Sequence, residues 1–151
     1  MGSAPMLRAR VYYDFASTLC YVAHRVFGEL EPRLAELGVV LEWCPLDLAQ
    51  LLGWRRGVPI DEARIANAER VAAELGVAVR PLPVWPDSRD ALAAARASLE
   101  RIAPEASEQG VTGLPTVMLG AFPFPGMQSR ETTLLVFERW ARKNRPPELV
   151  G

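Results

Sequence analysis

The sequence has few of the residues that hold small secreted or metal-binding domains together. Its 151 residues include only two cysteines, Cys20 and Cys44, and one histidine, His24. Two cysteines are too few for a disulfide scaffold, and the three residues together do not have the spacing of a known zinc site. A chain of this length can bury a core without such supports. We therefore expect one domain, residues 1–151, with no metal.

A strong net charge and long apolar runs are also missing. Seventeen basic residues nearly balance eighteen acidic ones, which leaves a net charge of −1. No apolar run approaches the roughly 18 residues of a membrane span. These values favour neither a nucleic acid nor a membrane as the main partner. The first ten residues lack the apolar stretch of a secretory signal, so we expect a cytoplasmic protein.

The first third of the sequence predicts a strand, a long helix and a second strand. Residues of β-branched and aromatic types predict strands at Arg8 to Phe15 and at Val39 to Leu46. Between them, apolar residues at helical spacing follow a capping residue, Ser17 or Thr18, and predict a helix to about Leu37. Two strands joined by one helix are expected to lie parallel in a right-handed βαβ unit.

The rest of the sequence predicts helices first and a hairpin with a helix last. The predicted elements are helices over 61–75 and about 88–102, strands over 116–119 and 121–124, and a last helix over about 129–144. The helical stretch, about 47–110, therefore separates a βαβ half from a ββα half.

Three short motifs resemble those of one family. The stretch YYDFASTLCYVA over residues 12–23 resembles the strand, active loop and helix of DsbA-like proteins. The stretch GVTGLPT over 110–116 is similar to that family's turn, whose proline, here Pro115, is cis. The stretch GMQSRE over 126–131 resembles the start of the family's last helix. The resemblance implies an α/β thioredoxin fold with helices inserted between its two halves.

The first residue of the active motif and the middle of the chain resemble one branch of that family. The stretch AERVA over 68–72, with Pro83 and Pro86 after it, looks like the 2-hydroxychromene-2-carboxylate isomerases and kappa-class glutathione transferases. Their motif begins with serine, as here with Ser17, where disulfide oxidoreductases have cysteine. Thr18 departs from the proline that is common there, and the inserted helical stretch is short.

The resemblance implies a glutathione site. Ser17 would hold the thiolate of glutathione at the start of a helix, although it can also serve only as a helix cap. Leu114 and Pro115 would pair with the cysteinyl backbone of glutathione. Gln128 and Ser129 would hold a carboxylate of glutathione, or they cap the last helix. The helical stretch, about 47–110, would take an apolar electrophile as the second substrate.

Cys20 leaves several functions open. By the resemblance it stands at the position of a resolving cysteine, and it can equally be a buried, inert thiol. Cys44 and His24 more often have structural or incidental roles. The alternatives are a glutathione-dependent isomerase or transferase, a thiol–disulfide oxidoreductase working through Cys20, and a non-catalytic binding or assembly module. The short helical stretch favours the third alternative, and formation of a homodimer would compensate for it.

Overall fold

A computed structural model describes residues 6–52, 56–95 and 114–144 of the chain. Within these ranges the elements are β1 (Leu7–Tyr13), α1 (Thr18–Glu36), β2 (Val39–Pro45), α2 (Leu48–Leu52), α3 (Glu62–Glu74), α4 (Arg89–Ala95), β3 (Thr116–Leu119), β4 (Phe122–Pro125) and α5 (Arg130–Lys143). None of the helices in this part of the chain is long and apolar enough to cross a membrane.

The predicted strands and the predicted helices α1, α3 and α5 are confirmed, and their ends differ from the predictions by at most two residues. The helix predicted over 88–102 is confirmed at Arg89–Ala95, and the rest of that prediction lies outside the described residues. The short helix α2 has no counterpart among the predicted elements.

The four strands form one sheet in the order β2-β1-β3-β4. β1 runs parallel to β2, as predicted, whereas β3 is antiparallel to both β1 and β4. Tyr12, near the end of β1, pairs with Cys44 on one side and Thr116 on the other. The ends of β1 and β2 and the beginning of β3 therefore meet at one edge of the sheet. The chain leaves β1 at this edge and enters α1.

The core lies between the sheet and the two long helices. Apolar residues of α1 recur every three or four positions, so they form one buried face. Phe137 of α5 is fully buried, and its ring lies edge-on to that of Phe27 of α1, with 6.2 Å between the centroids. The core residues with at most 2% exposure include Ala9, Val11, Val22, Ala23, Val26, Leu34, Val39, Val117, Phe137 and Ala141.

Residues 56–95, here called the helical segment, contain α3 and α4. α3 packs on α1, and its buried residues, Ala68 and Ala72, are small. Beyond α3 the chain turns back on itself: the Trp85 amide donates to the Val58 carbonyl at 2.9 Å, and the Gly57 amide donates to the Trp85 carbonyl at 2.8 Å. This short ribbon holds the stretch between α3 and α4 in an extended form.

Candidate active site

Ser17 is the N-cap of α1. Its backbone is extended, with φ −99° and ψ 124°, and its Oγ accepts a hydrogen bond from the Cys20 amide at 3.3 Å. The Ser17 amide donates to the Asp14 carbonyl at 3.3 Å, which closes a tight turn over residues 14–17, here called the Ser17 loop. The capping role predicted for Ser17 is confirmed. The hydroxyl also lies where the unpaired amides of the helix start gather, a place that favours negative charge.

Within the described residues, three surface clefts meet at Ser17, which lines each of them. The first, the helical-segment cleft, has a volume of about 320 Å³ and lies between the start of α1 and α3. The second, the aromatic cleft, measures about 380 Å³ and lies on the side of β2. The third, the Arg80 cleft, measures about 450 Å³ and lies beside residues 78–82. A ligand atom at Ser17 can therefore extend in any of three directions.

The helical-segment cleft is largely apolar. Its walls include Ile60, Leu82 and Trp85, together with the start of α1. The guanidinium of Arg64 lies 5.8 Å from the centre of the Trp85 ring, within cation–π distance, and also lines this cleft. The cleft thus combines an apolar body with one positive charge.

The aromatic cleft is walled by a row of rings. The ring centres of Tyr13 and Phe15 are 5.4 Å apart, and those of Tyr13 and Trp43 are 5.7 Å apart. His24 follows at 5.4 Å from Trp43 and lines the same cleft as Ser17. The sequence alone favours an incidental role for His24. Only the packing of α1 against β2 brings it beside this cleft.

Cys20 is buried below the Ser17 loop. It is 3% exposed, and its Sγ accepts a hydrogen bond from the Asp14 amide at 3.5 Å. Burial raises the pKa of its thiol to about 12, and the opposing hydrogen bonds from the Asp14 backbone and the Ser17 side chain are smaller effects. Because the thiolate is the reactive form, this thiol is inert at neutral pH.

Cys44 is also outside any disulfide bond, and it is 3% exposed. Its Sγ donates to the carbonyl of Glu42 at 3.7 Å, and the residue packs in a small apolar cluster with Tyr12, Leu46 and Met118. This environment supports a structural role for Cys44. Neither cysteine of the chain offers an exposed thiol at the site.

Pro115 lies at the sheet edge where β1 ends. The residue after it, Thr116, pairs with Tyr12, so Pro115 is beside the exit of β1 toward the Ser17 loop. The Leu114–Pro115 peptide bond is cis. The Pro115 carbonyl accepts a hydrogen bond from the Gly126 amide at 2.9 Å, and Gly126 has a φ of +73° that favours glycine there. The preceding residues 110–113 of the motif lie outside the described residues.

The structure does not bring Gln128 and Ser129 to the three clefts, since neither residue lines any of them. Ser129 caps α5: its Oγ accepts from the Thr132 amide at 3.1 Å. The next residue, Arg130, binds Glu29 of α1 at 2.8 Å, twelve residues and about 18 Å of helix beyond Ser17. The contact of Gln128 and Ser129 with a glutathione carboxylate stays a prediction.

Two arginines outside the predicted site residues also line the clefts. Arg64 belongs to the helical-segment cleft and Arg80 to the Arg80 cleft. Both side chains are exposed, and their sequence context resembles that of the other surface arginines. No sequence signal marks them, because only the folding of the helical segment onto α1 places them beside Ser17.

Comparison with known proteins identifies the fold. No family model matches the sequence, and no curated protein sequence matches it significantly. Among solved structures, 2-hydroxychromene-2-carboxylate isomerase matches with a TM-score of 0.51 and 16% identity, covering 96% of this chain and 100% of that one. A probable DsbA oxidoreductase from Streptomyces coelicolor matches with a TM-score of 0.62 and 16% identity, covering 93% and 92%.

The chain has a DsbA-like thioredoxin fold, and both matches extend over nearly its whole length. Within that fold the two neighbours carry different chemistries, as an isomerase and an oxidoreductase. An identity of 16% shows the fold alone. The choice between isomerase and oxidoreductase chemistry therefore depends on the side chains at the site.

Proposed function

We propose that this protein binds glutathione at Ser17 and acts on an apolar electrophile as a glutathione-dependent isomerase or transferase. One observation carries the proposal: the start of α1 presents a hydroxyl to three open clefts, while both cysteines of the chain are buried. Such a site offers a place to hold a thiolate but has no reactive thiol of its own. The sulfur must then come from a ligand.

Ser17 would stabilise the bound thiolate through one directed hydrogen bond. A serine hydroxyl rotates freely, so it can donate to the ligand sulfur while its oxygen still accepts from the Cys20 amide. The start of a long helix adds partial positive charge. Together these effects favour the thiolate over the thiol and raise the fraction of glutathione that can attack.

The surroundings of Ser17 suit the rest of the glutathione molecule. Its two carboxylates would meet cationic side chains, and Arg64 and Arg80 line clefts that both include Ser17. Leu114 and Pro115 line none of the three clefts, but they lie at the adjoining sheet edge, from which Leu114, before the cis bond, would present its backbone to the cysteinyl part. The apolar walls of the helical-segment cleft would hold the electrophile.

The reaction would proceed by addition and elimination. The glutathione sulfur forms a bond to one carbon of an activated double bond, and the π electron pair moves onto the activating group. Rotation about the resulting single bond follows. The electron pair then returns, the carbon–sulfur bond breaks, and glutathione leaves unchanged. A transferase would instead retain the carbon–sulfur bond and take up a proton.

The burial of Cys20 argues against the oxidoreductase alternative. Disulfide exchange needs an exposed thiolate of low pKa, whereas burial raises the pKa of Cys20 to about 12. The non-catalytic alternative differs from the proposal in a measurable way, because such a module need not bind glutathione at all.

Titration calorimetry of the wild type and Ser17→Ala with glutathione, above the thiol pKa, tests the proposal. A hydrogen bond to a charged group is worth roughly 1.5–3 kcal/mol, so we expect the Kd to rise about 10- to 100-fold. S-methylglutathione has no thiolate, so its affinity should change little. Asp61→Ala is the matched control, because it removes the cap of α3 without touching the three clefts. Absence of wild-type binding at millimolar glutathione would favour the non-catalytic module.

A further inference from the structure

The proposed function leaves one buried charged residue unexplained. Asp14 is 1% exposed, and its carboxylate accepts three hydrogen bonds. The donors are the Ala16 amide at 3.0 Å, the Leu48 amide at 2.6 Å and the Ser88 hydroxyl at 2.5 Å. A buried carboxylate is tolerated only when it is satisfied in this way, so each donor matters to the position of the others.

The three donors come from three separate parts of the chain. Ala16 belongs to the Ser17 loop, Leu48 is the first residue of α2, and Ser88 directly precedes α4 in the helical segment. The backbone of Asp14 adds two further bonds, accepting from the Ser17 amide and donating to Cys20. One residue, Asp14, therefore connects the Ser17 loop to Ser88 in the second half of the helical segment.

Arg56 makes a second connection between the same parts of the chain. Its guanidinium binds the carboxylate of Asp47, and its Nε lies 3.1 Å from the carboxylate of Asp87. Asp47 and Asp87 directly precede Leu48 and Ser88, the residues that donate to Asp14. The side chain of Arg56 is 25% exposed, so Asp14 holds this pair of segments from inside and Arg56 holds it from the solvent side.

This double connection lies next to one wall of the helical-segment cleft. Leu82 and Trp85, which wall the cleft, lie on the extended stretch between α3 and Ser88. Packing of α3 on α1 fixes one end of that stretch, and the hydrogen bond from Ser88 to Asp14 fixes the other.

We infer that Asp14 and Arg56 form a two-layer clamp that holds the helical segment against the Ser17 loop, with Asp14 acting as the positioning residue for the Ser17 hydroxyl. The inference rests on the proposed function for its ligand, but the clamp itself is a property of the fold. Asp14 is 1% exposed and its carboxylate already accepts from three donors of the protein, so it acts through the backbone of the Ser17 loop and through Ser88.

Ser88→Ala tests the clamp with the least disturbance, since it leaves both backbone donors to Asp14 in place. The measured quantity is the preference for glutathione over S-methylglutathione, which reports the hydrogen bond from Ser17 to the thiolate. We expect Ser88→Ala to lower this preference about three- to tenfold. Arg56→Gln should lower it in the same direction. Thr133→Val, at a buried site on α5, is the control for lost stability and should leave the preference unchanged.

A double variant separates positioning from general loosening. If Ser88 acts through Ser17, then adding Ser88→Ala to Ser17→Ala should not lower the preference further. Additive effects, or a preference that Ser88→Ala and Arg56→Gln leave unchanged, would overturn the positioning role.

Amide hydrogen exchange tests the clamp in the absence of any ligand. Ser88→Ala should speed exchange of the Ala16 and Leu48 amides, which share the Asp14 carboxylate, while amides in the middle of α5 keep their wild-type rates. Unchanged exchange at Ala16 and Leu48 would overturn the clamp. Faster exchange there in a protein that binds no glutathione would support the clamp and refute the proposed function.

Discussion

Two regions of the molecule are stabilised by different forces. The first is the sheet with α1 and α5, and the second is the helical segment. In the first region, large apolar side chains such as Val26, Leu34 and Phe137 are almost completely buried. In α3 of the helical segment, the buried side chains are alanines. The second half of that segment buries one large side chain, Leu92, and is also tied to the Ser17 loop by the buried hydrogen bond from Ser88 to Asp14.

This difference separates stability from site geometry. Apolar burial is non-directional and roughly proportional to area, so it stabilises the core without fixing any one atom of the site. Hydrogen bonds to a buried carboxylate are directional and fix the Ser17 loop and one wall of the cleft. Core substitutions should therefore change the free energy of unfolding most, and substitutions of the polar contacts should change ligand binding most.

The largest stability effect is expected in the core. Phe137→Ala should lower the free energy of unfolding by about 3–5 kcal/mol, since it removes a fully buried ring. Ala72→Gly on α3 should cost only about 1 kcal/mol, mainly through helix propensity. Urea denaturation measures both, and Phe122→Ala, at a residue 74% exposed, is the control with little effect. Equal losses for Phe137→Ala and Ala72→Gly would contradict the division between the two regions.

A smaller effect is expected from Cys20 at alkaline pH. Burial raises the pKa of its thiol from 9.0 to about 12, so the folded state keeps a proton that the unfolded state loses. The stabilising contribution is complete below pH 9 and falls by up to about 1.4 kcal/mol per pH unit between pH 9 and 12.

Denaturation of the wild type and Cys20→Ala across this pH range measures the difference. Cys20→Ala should flatten the alkaline loss of stability, and Cys44→Ala, the control for a lost buried sulfur, should keep the steep loss because Cys20 is still present. Parallel curves for the wild type and Cys20→Ala would mean that the Cys20 thiol ionises as readily in the folded protein as in the unfolded one.

The smallest effects are expected at the exposed cations of the site. Arg64→Gln and Arg80→Gln should each raise the Kd for glutathione about two- to fivefold, because exposed ion pairs are worth about 0.5–1 kcal/mol. The effect should shrink as salt is added. Arg142→Gln, which breaks an exposed pair with Glu138 on α5, is the matched control. Wild-type affinity in both site variants would place the carboxylates of glutathione elsewhere.

Much of the fold could be predicted because its long elements carry strong patterns. The apolar face of α1 and the cap at Ser17 are visible in the sequence, and so is the short strand at Thr116–Leu119. The helix α2 was missed because five residues are too few to show a helical period. Its first amide bonds to Asp14, 34 residues earlier, and local sequence does not reveal such a contact.

The site was predictable only where its residues belong to recognisable motifs. Ser17 and Cys20 lie in one motif, and the burial that inactivates Cys20 was among the interpretations left open. The bond from Ser88 to Asp14 spans 74 residues, and the approach of Arg64 and Arg80 to Ser17 depends on how the helical segment folds back. These contacts are tertiary, so residue type and spacing in the sequence do not reveal them.

The most direct test of the central claim is the pH at which bound glutathione ionises. Thiolate absorbance in the ultraviolet, with the spectrum of the protein alone subtracted, follows this ionisation. Cys20 does not interfere near neutral pH, since its pKa is about 12. If Ser17 and the start of α1 hold the thiolate, glutathione should ionise below the ordinary thiol pKa of about 8.5 in the presence of the wild type, and less so with Ser17→Ala. Ionisation at the same pH with and without the wild-type protein would contradict the claim that this site holds a glutathione thiolate.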